Sequence, residues 1–364
     1  MSKNIPIYAP DLSGREKEYV NDCIGSTWIS SKGKYIGAFE KSFSDYIGAE
    51  HSTSVSNGTV ALHLALLSLG IGAGDEVIVP TLTYVASVNA IKYVGATPVL
   101  VDSKESTWVI DPDRVKEKIT DKTKAILAVH IYGCPFDFIS LRNICDSEGL
   151  FLIENSAEAF GSKYGERYAG NLGDVSIFSF YGNKTITTGE GGMLATNSEE
   201  VYRRAVHYKQ QGVREDGAYY HDIVGYNYRM TNICAAIGLA QLERADKFLA
   251  RKREIAKLYI NLLAKYSLEY QVEPANCTHS YWMFTILFRS ATEMIAARDC
   301  LNMSGVETRP IFTPAHMLPM YRDDESSYPI ATDVSMRGFN VPSWPGLKDE
   351  DVERIVHSIG VGLE

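Results

Sequence analysis

The sequence predicts an α/β fold, a mostly parallel sheet covered by helices on both faces, followed by a smaller α+β domain. Three observations point to it. Short, near-continuous apolar runs recur between residues 76 and 196, without the in–out alternation of a half-exposed sheet. Segments with helical spacing separate these runs. After about residue 242 the alternation stops and long charged helical segments take over. The expected division is a large domain over 1–245 and a small one over 246–364.

The elements follow in order. Residues 12–24 read as a helix, with Glu16, Tyr19 and Val20 among polar residues and Gly25 as the stop signal. Phe39, Phe43 and Tyr46 recur at helical spacing and mark a second helix. STSVSNGT then leads into VALHLALLSLG, an apolar helix that ends at Gly70. EVIVP at 76–80 is a short strand stopped by proline, and 86–95 is helical again. Strands are expected at 97–102, 124–130, 150–154, 175–180 and 192–196, with a helix over 138–149. Crossovers between the parallel strands should be right-handed. The second domain offers a helix over 243–265, a strand over 282–288 and helices over 292–303 and 349–359.

Composition narrows the function classes. The chain has 364 residues, 45% apolar and 22% charged, which is ordinary for a globular protein. Its 36 basic and 45 acidic residues give a net charge of −9, so a globally basic nucleic-acid footprint is absent. Six scattered cysteines include no CxxC pair, and reduced thiols in the cytoplasm are expected. The opening MSKNIPIYAPDLSG has no long apolar stretch and makes a poor signal peptide. No run of about 20 apolar residues is present to span a membrane. No metal site is expected.

Three clusters could carry chemistry. FSFYGNKTITTGEGG at 178–192 holds Lys184 just after an apolar strand. A lysine at a strand exit is ordinarily solvated. Here Ser179 and Thr185 offer hydroxyls, and Gly189, Gly191 and Gly192 permit close backbone approach. A primary amine held in such a loop can form a Schiff base with a carbonyl cofactor. SVSNGTVAL at 54–62 sets small polar residues before a helix. The free amides there, with the Thr59 hydroxyl, suit a phosphate, although the same residues serve as ordinary caps. In LIENSAEAFGSKYG, Glu154 and Asn155 lie at the C-terminal end of a strand, where open α/β sheets bind ligands, and Glu158 follows one turn later.

In this order the clusters resemble the sugar aminotransferases of the aspartate aminotransferase superfamily, the DegT/DnrJ/EryC1/StrS family. The resemblance covers essentially the whole chain. It rests on SNGTVALHLAL, PTLTYVASVNAI, AVHIYG, IENSAEAFG, FSFYGNKTITTGEGGM, GYNYRMTNICAAIGLAQLE and ETRPIFTPAH. It implies pyridoxal 5′-phosphate as cofactor, with pyridoxamine 5′-phosphate formed during turnover. It implies L-glutamate and a GDP-linked 4-keto-6-deoxy sugar as substrates and 2-oxoglutarate as a product. Lys184 then stands at the Schiff-base lysine and Tyr84 at the aromatic that stacks on the pyridine ring. Gly58, Thr59 and Ser179 match the phosphate site. Asn227 matches the asparagine that a neighbouring subunit sends to the phosphate, so a homodimer with shared sites is implied. Glu158 falls beside the cofactor ring. Arg309 and His316 fall in the segment that builds the sugar-nucleotide end of the cleft.

One position departs from the family pattern. The family usually has aspartate where this chain has Asn155, and that aspartate pairs with the protonated ring nitrogen. A carboxylate favours the charged pyridinium, which makes the ring an electron sink. Asn155 can accept a hydrogen bond from the ring or donate one to it, but supplies no countercharge. Reduced activity is expected. Glu154 points to the other side of its strand and cannot take over. Amination of a different nucleotide-linked sugar, such as a UDP-linked one, and non-catalytic binding of cofactor or sugar nucleotide are the other readings. The related sugar 3-dehydratases carry histidine at the position of Lys184.

Overall fold

The computed structural model describes residues 4–214 and 219–364. Seven strands form the central sheet: β1 (His51–Val55), β2 (Glu76–Pro80), β3 (Thr97–Val101), β4 (Thr123–Val129), β5 (Phe151–Asn155), β8 (Val175–Ser179) and β9 (Gly192–Thr196). A two-stranded hairpin, β6 (Lys163–Tyr164) and β7 (Arg167–Tyr168), lies between β5 and β8 and takes up β11 (Cys277–Thr278) at its edge. The order across the large sheet is β1-β9-β8-β5-β4-β2-β3. From β8 to β3 every neighbouring pair is parallel. Strand β9 alone runs against both of its neighbours. The expected mostly parallel sheet is therefore observed, with one reversed strand near its edge.

Helices α1 (Glu16–Gly25), α2 (Lys34–Ile47), α3 (Gly58–Ser68), α4 (Ala86–Tyr93), α5 (Pro112–Glu117), α6 (Phe138–Glu148), α7 (Glu199–Lys209) and α8 (Asn232–Leu242) surround the sheet. Local chemistry sets their ends. The Asn57 side chain caps α3 by accepting the Val60 N–H at 3.0 Å. Asp137 caps α6 at the Ser140 N–H, and Gly149 ends that helix in the left-handed region. Helix α1 starts at Glu16, four residues later than the spacing predicts. Asp11 is engaged elsewhere: its carboxylate accepts the Ser13 N–H and pairs with Arg244 through both guanidinium nitrogens at 2.9 Å.

The second unit contains α9 (Ala245–Leu263), α10 (Ala291–Met303), α11 (Pro329–Met336) and α12 (Asp349–Leu363). Its sheet is antiparallel, in the order β10-β12-β14-β13, from β10 (Glu269–Tyr270), β12 (Phe284–Leu287), β13 (Arg309–Pro310) and β14 (Gly338–Val341). Two segments cross the expected division near 245. Ile5 packs in the core of the second unit and bridges Val306. Ala331 and Val334 of α11 pack instead against the large sheet. The Asp102 carboxylate explains the second crossing, because it accepts the N–H groups of Ile330 and Ala331 at the start of α11.

An aromatic core lies beneath the sheet near β8. Phe39, Phe43, Phe178 and Phe180 are essentially fully buried, and the Phe43 ring meets Phe178 edge-on at 4.8 Å. The Phe39 and Phe43 spacing seen in the sequence thus serves to seat α2 against β8, the strand that leads to Lys184.

Candidate active site

The site is built outward from the C-terminal end of β5. Glu154 and Asn155 alternate across the strand, as expected from its pleat. Glu154 is fully buried and points away from the cleft. Its carboxylate accepts from the N–H groups of Gly170, Leu172 and Gly173 and from His130 Nε2 at 3.1 Å. His130 Nδ1 accepts the Phe136 N–H, so Nε2 is the donor to Glu154. Asn155 faces the other way. Its Oδ1 accepts the Ala157 N–H at 3.0 Å, and its Nδ2 donates to Ser87 Oγ at 2.9 Å. Ser87 in turn bonds Thr83 beside Tyr84. The amide is held from two sides, with its oxygen turned to the strand's own turn.

Lys184 lies in the loop between β8 and β9. Phe180 closes that loop by donating to the Gly191 carbonyl and accepting from Thr188, each at 2.9 Å. Gly189 turns through a φ of +82° inside it, a region few side chains adopt. The Lys184 amine sits 3.5 Å from the centre of the Trp282 ring. The Trp282 indole N–H donates to the Asn183 carbonyl at 2.8 Å, and the Tyr8 hydroxyl donates to the Lys184 carbonyl. The backbone on both sides of the Lys184 nitrogen is thereby held. Burial pushes the amine down to about 8, while the nearby Glu158 carboxylate pulls in the opposite direction. Glu158 is buried, accepts the Tyr132 N–H at 2.7 Å, and is itself raised by burial. A primary amine near neutrality beside a carboxylate is equipped to attack a carbonyl and to carry a proton.

The start of α3 forms the second part. The N–H groups of Gly58 and Thr59 have no partner within their helix, and their dipoles favour an anion. A Cβ on Gly58 would stand 3.0 Å from the Ser179 Cβ, so only glycine lets α3 come this close to the end of β8. An aromatic wall forms the third part. Tyr84, 56% exposed, meets Phe312 at 5.5 Å, and Phe312 stacks on Tyr132 at 5.3 Å. An amine, an anion-binding helix start and an aromatic wall fit a flat phosphate-bearing aldehyde. Two buried polar atoms, Ser156 Oγ and Asn183 Oδ1, have no hydrogen-bond partner among the described residues.

The structure sets Gly58 against Ser179, Lys184 near Glu158, and Asn155 onto Ser87, whose hydroxyl bonds Thr83 beside Tyr84; Thr59 stands in the first turn of α3. Asn227 does not join them within the chain. It is exposed, and its Oδ1 accepts two hydrogen bonds from Arg229. Arg309 is exposed and pairs with Glu307 at 2.7 Å. His316 departs from its expected role as a substrate contact. It is fully buried, with Nδ1 on Thr81 at 2.8 Å and Nε2 on Thr332 at 3.1 Å, and it stacks on Tyr328. Neither ring nitrogen is free for a ligand. The ring bolts the 315–317 turn to the end of β2, three residues before Tyr84. Trp282, Tyr132, Phe312 and Tyr8 escaped the sequence reading. Trp282 had a signal: it stands in an apolar run, yet β12 begins only at Phe284. Among the described residues no group of His, Cys, Asp and Glu is placed to hold a metal ion.

The coupling of the two buried groups has a testable sign. Glu158 raises the Lys184 amine, so Glu158→Gln should lower the midpoint at which the amine becomes reactive. Modification of Lys184 in the full chain by formaldehyde and borohydride, followed by peptide mass across a pH series, should show the rise displaced to lower pH. An unchanged midpoint, or one displaced upward, would remove Glu158 from the electrostatics of the amine.

Residues 10–360 match the DegT/DnrJ/EryC1/StrS aminotransferase family. The chain is similar to a GDP-perosamine synthase of Escherichia coli O157:H7, at 56% identity over 360 residues and 98% of each chain. It is 50% identical over 361 residues to a GDP-perosamine synthase of Vibrio cholerae, again over 98% of each. Spr1654 from Streptococcus pneumoniae shares the fold in its PLP form with a TM-score of 0.94 and in its PMP form with 0.95, at 28% identity. These alignments cover 99% of this chain and 99% and 98% of the two solved chains. The chain therefore depends on pyridoxal 5′-phosphate, and it is a member of the DegT/DnrJ/EryC1/StrS aminotransferase family.

Proposed function

We propose that the chain transfers the amino group of L-glutamate to C4 of GDP-4-keto-6-deoxy-D-mannose, giving GDP-perosamine and 2-oxoglutarate for O-antigen polysaccharide. The observation that carries the reaction type is the Lys184 amine, pushed down to about 8 by burial and held under Trp282 beside Glu158. The sugar and nucleotide rest on the two GDP-perosamine synthases to which the chain is similar along nearly its whole length.

Bound pyridoxal phosphate would supply an electron sink and carry the amino group between the two substrates. The chain's own residues do the rest. The α3 amides of Gly58 and Thr59, with the Thr59 and Ser179 hydroxyls, would hold the phosphate. Tyr84 would cover one face of the ring and Asn155 would meet its nitrogen. Lys184 Nζ, when neutral, takes the α-proton of glutamate and later delivers a proton to the sugar's C4 side of the reaction. One amine serves both half-reactions because its backbone is fixed while its side chain is free to swing. Glu158 holds the amine's proton affinity near the working pH. Arg309 would meet the diphosphate with its exposed guanidinium, while His316 supports the Tyr84 loop from behind.

Incubation with glutamate and a panel of GDP- and UDP-linked keto sugars, read by mass spectrometry, should give a 4-amino-6-deoxy sugar linked to GDP. Lys184→Ala should abolish it, and borohydride trapping of the loaded parent should map the adduct to Lys184. Amination of only UDP-linked sugars would overturn the substrate reading. An adduct on another lysine would overturn the assignment of the amine.

The exposed position of Asn227 fits a phosphate contact made in a second subunit, and we propose a homodimer with composite sites. Mixing Lys184→Ala chains with Asn227→Ala chains should then recover activity, because a mixed dimer rebuilds one complete site. No recovery despite demonstrated subunit exchange would confine each site to a single chain.

Asn155 is the residue expected to limit the rate. Asn155→Asp is isosteric and keeps an acceptor for Ala157, while the Ser87 hydroxyl can turn to donate. A buried charge-assisted hydrogen bond contributes about 1.5–3 kcal/mol. Since about 1.4 kcal/mol at the transition state is tenfold, both half-reactions should quicken by about tenfold or more. Cofactor affinity should change less than rate. Single-turnover absorbance across a pH series makes the comparison, and equal rates would show that Asn155 does not face the ring nitrogen.

A further inference from the structure

Lys252 is a buried amine without a carboxylate partner among the described residues. It lies on α9 and is fully buried. Burial alone pushes its amine down to about 7. Burying such a group among apolar neighbours is costly and invites a reason. Its Nζ donates to the Trp282 carbonyl at 3.1 Å and to the Ser343 carbonyl at 2.6 Å. A neutral amine keeps two N–H groups, so both bonds survive in either protonation state.

The bond to Trp282 leads toward the reactive amine, and the nearby Tyr8 leads there as well. Trp282 covers Lys184 Nζ with its ring and holds the Asn183 carbonyl with its indole N–H. Tyr8, whose ring centre lies 5.9 Å from Lys252 Nζ, donates its hydroxyl to the Lys184 carbonyl. Lys252 therefore stands directly behind the two aromatic side chains that fix the backbone of Lys184. Trp282 lies just before β12, a strand of the second unit, whereas Lys184 lies in a loop of the large sheet. Trp282 spans the two, its carbonyl accepting from Lys252 and its indole N–H donating to the Asn183 carbonyl.

We propose that Lys252 is a positioning residue that fixes Trp282 over Lys184, and so links the packing of the second unit to the shelter of the reactive amine. It touches neither cofactor nor substrate. The inference rests on the reading of Lys184 as the reactive amine.

The test compares Lys252→Met, which removes both donors, with Lys252→Gln, which keeps uncharged donors, and with Trp282→Phe, which loses the indole N–H. Borohydride mapping of the loaded parent first checks Lys184 itself, so a failure of the function reading is seen separately. Lys252→Met should lower kcat by about tenfold or more, with a smaller change in KM. It should also move the midpoint of Lys184 modification upward, because water entering beneath a loosened Trp282 relieves the burial that lowers the amine. Lys252→Gln should fall between Lys252→Met and the parent. Combining Lys252→Met with Trp282→Phe should cost no more than the worse single change, since both act through one contact. A folded Lys252→Met with an unchanged midpoint, or losses that multiply in the double variant, would overturn the proposal. If Lys252→Met fails to fold, Lys252→Gln alone and combined with Trp282→Phe decides by the same two criteria.

Discussion

The Glu154 carboxylate is the interaction on which the rest of the site depends. It has no chemistry of its own, since every oxygen is committed to donors from two directions. On one side it holds His130, at the end of β4, two residues before the Tyr132 amide that binds Glu158. On the other it gathers the 170–173 loop, which feeds β8 and therefore Ser179 and Lys184. One buried carboxyl group thus joins the ends of β4 and β5 to the loop that enters β8. A buried carboxylate is tolerable only because backbone N–H groups and an imidazole meet it.

From that frame the site's electrostatics follow. Ligand-facing groups gather where parallel strands end and helices begin, so backbone amides and strand-end side chains converge there. The reversal of β9 is what lets the chain double back after Lys184. A parallel β8–β9 connection would have to cross to the other end of the sheet, whereas the antiparallel one turns back at the same end through the glycine-bearing loop 180–191. That loop is pinned where Phe180 bonds Gly191 and Thr188.

The second unit contributes more than a lid. Trp282 and Phe312 come from segments flanking its sheet, yet they pack with Tyr132 of the large unit. Ile5 goes the other way, and α11 returns to the large sheet through Asp102. With segments exchanged in both directions, the two units share walls of one cleft. Asn155 sits within this frame with both ends of its amide hydrogen-bonded, the oxygen to the Ala157 N–H and the nitrogen to Ser87.

Local sequence by itself determined the parallel strands of the large sheet with β9 and β12, most of the helices and the position of the amine after β8. Apolar runs bounded by proline and glycine are a one-dimensional signal, and EVIVP at β2 and GMLAT at β9 end where their residues dictate. The phosphate-type helix start and the Lys184 loop were legible because glycine, serine and threonine there act through backbone close by. Helices α5, α7, α8 and α11 went unread, and α8 is apolar nearly all round, which hides its period. What only the tertiary structure decided were the long-range pairings. His316 looked like a polar residue facing substrate, and became a buried bolt once Thr81 and Thr332 claimed both nitrogens. Trp282 read as part of a strand over 282–288, and Lys252 as one of the residues of the long charged helix over 243–265. Burial and hydrogen bonding depend on residues tens to hundreds of positions away, and no local pattern encodes which distant carbonyl a side chain will meet.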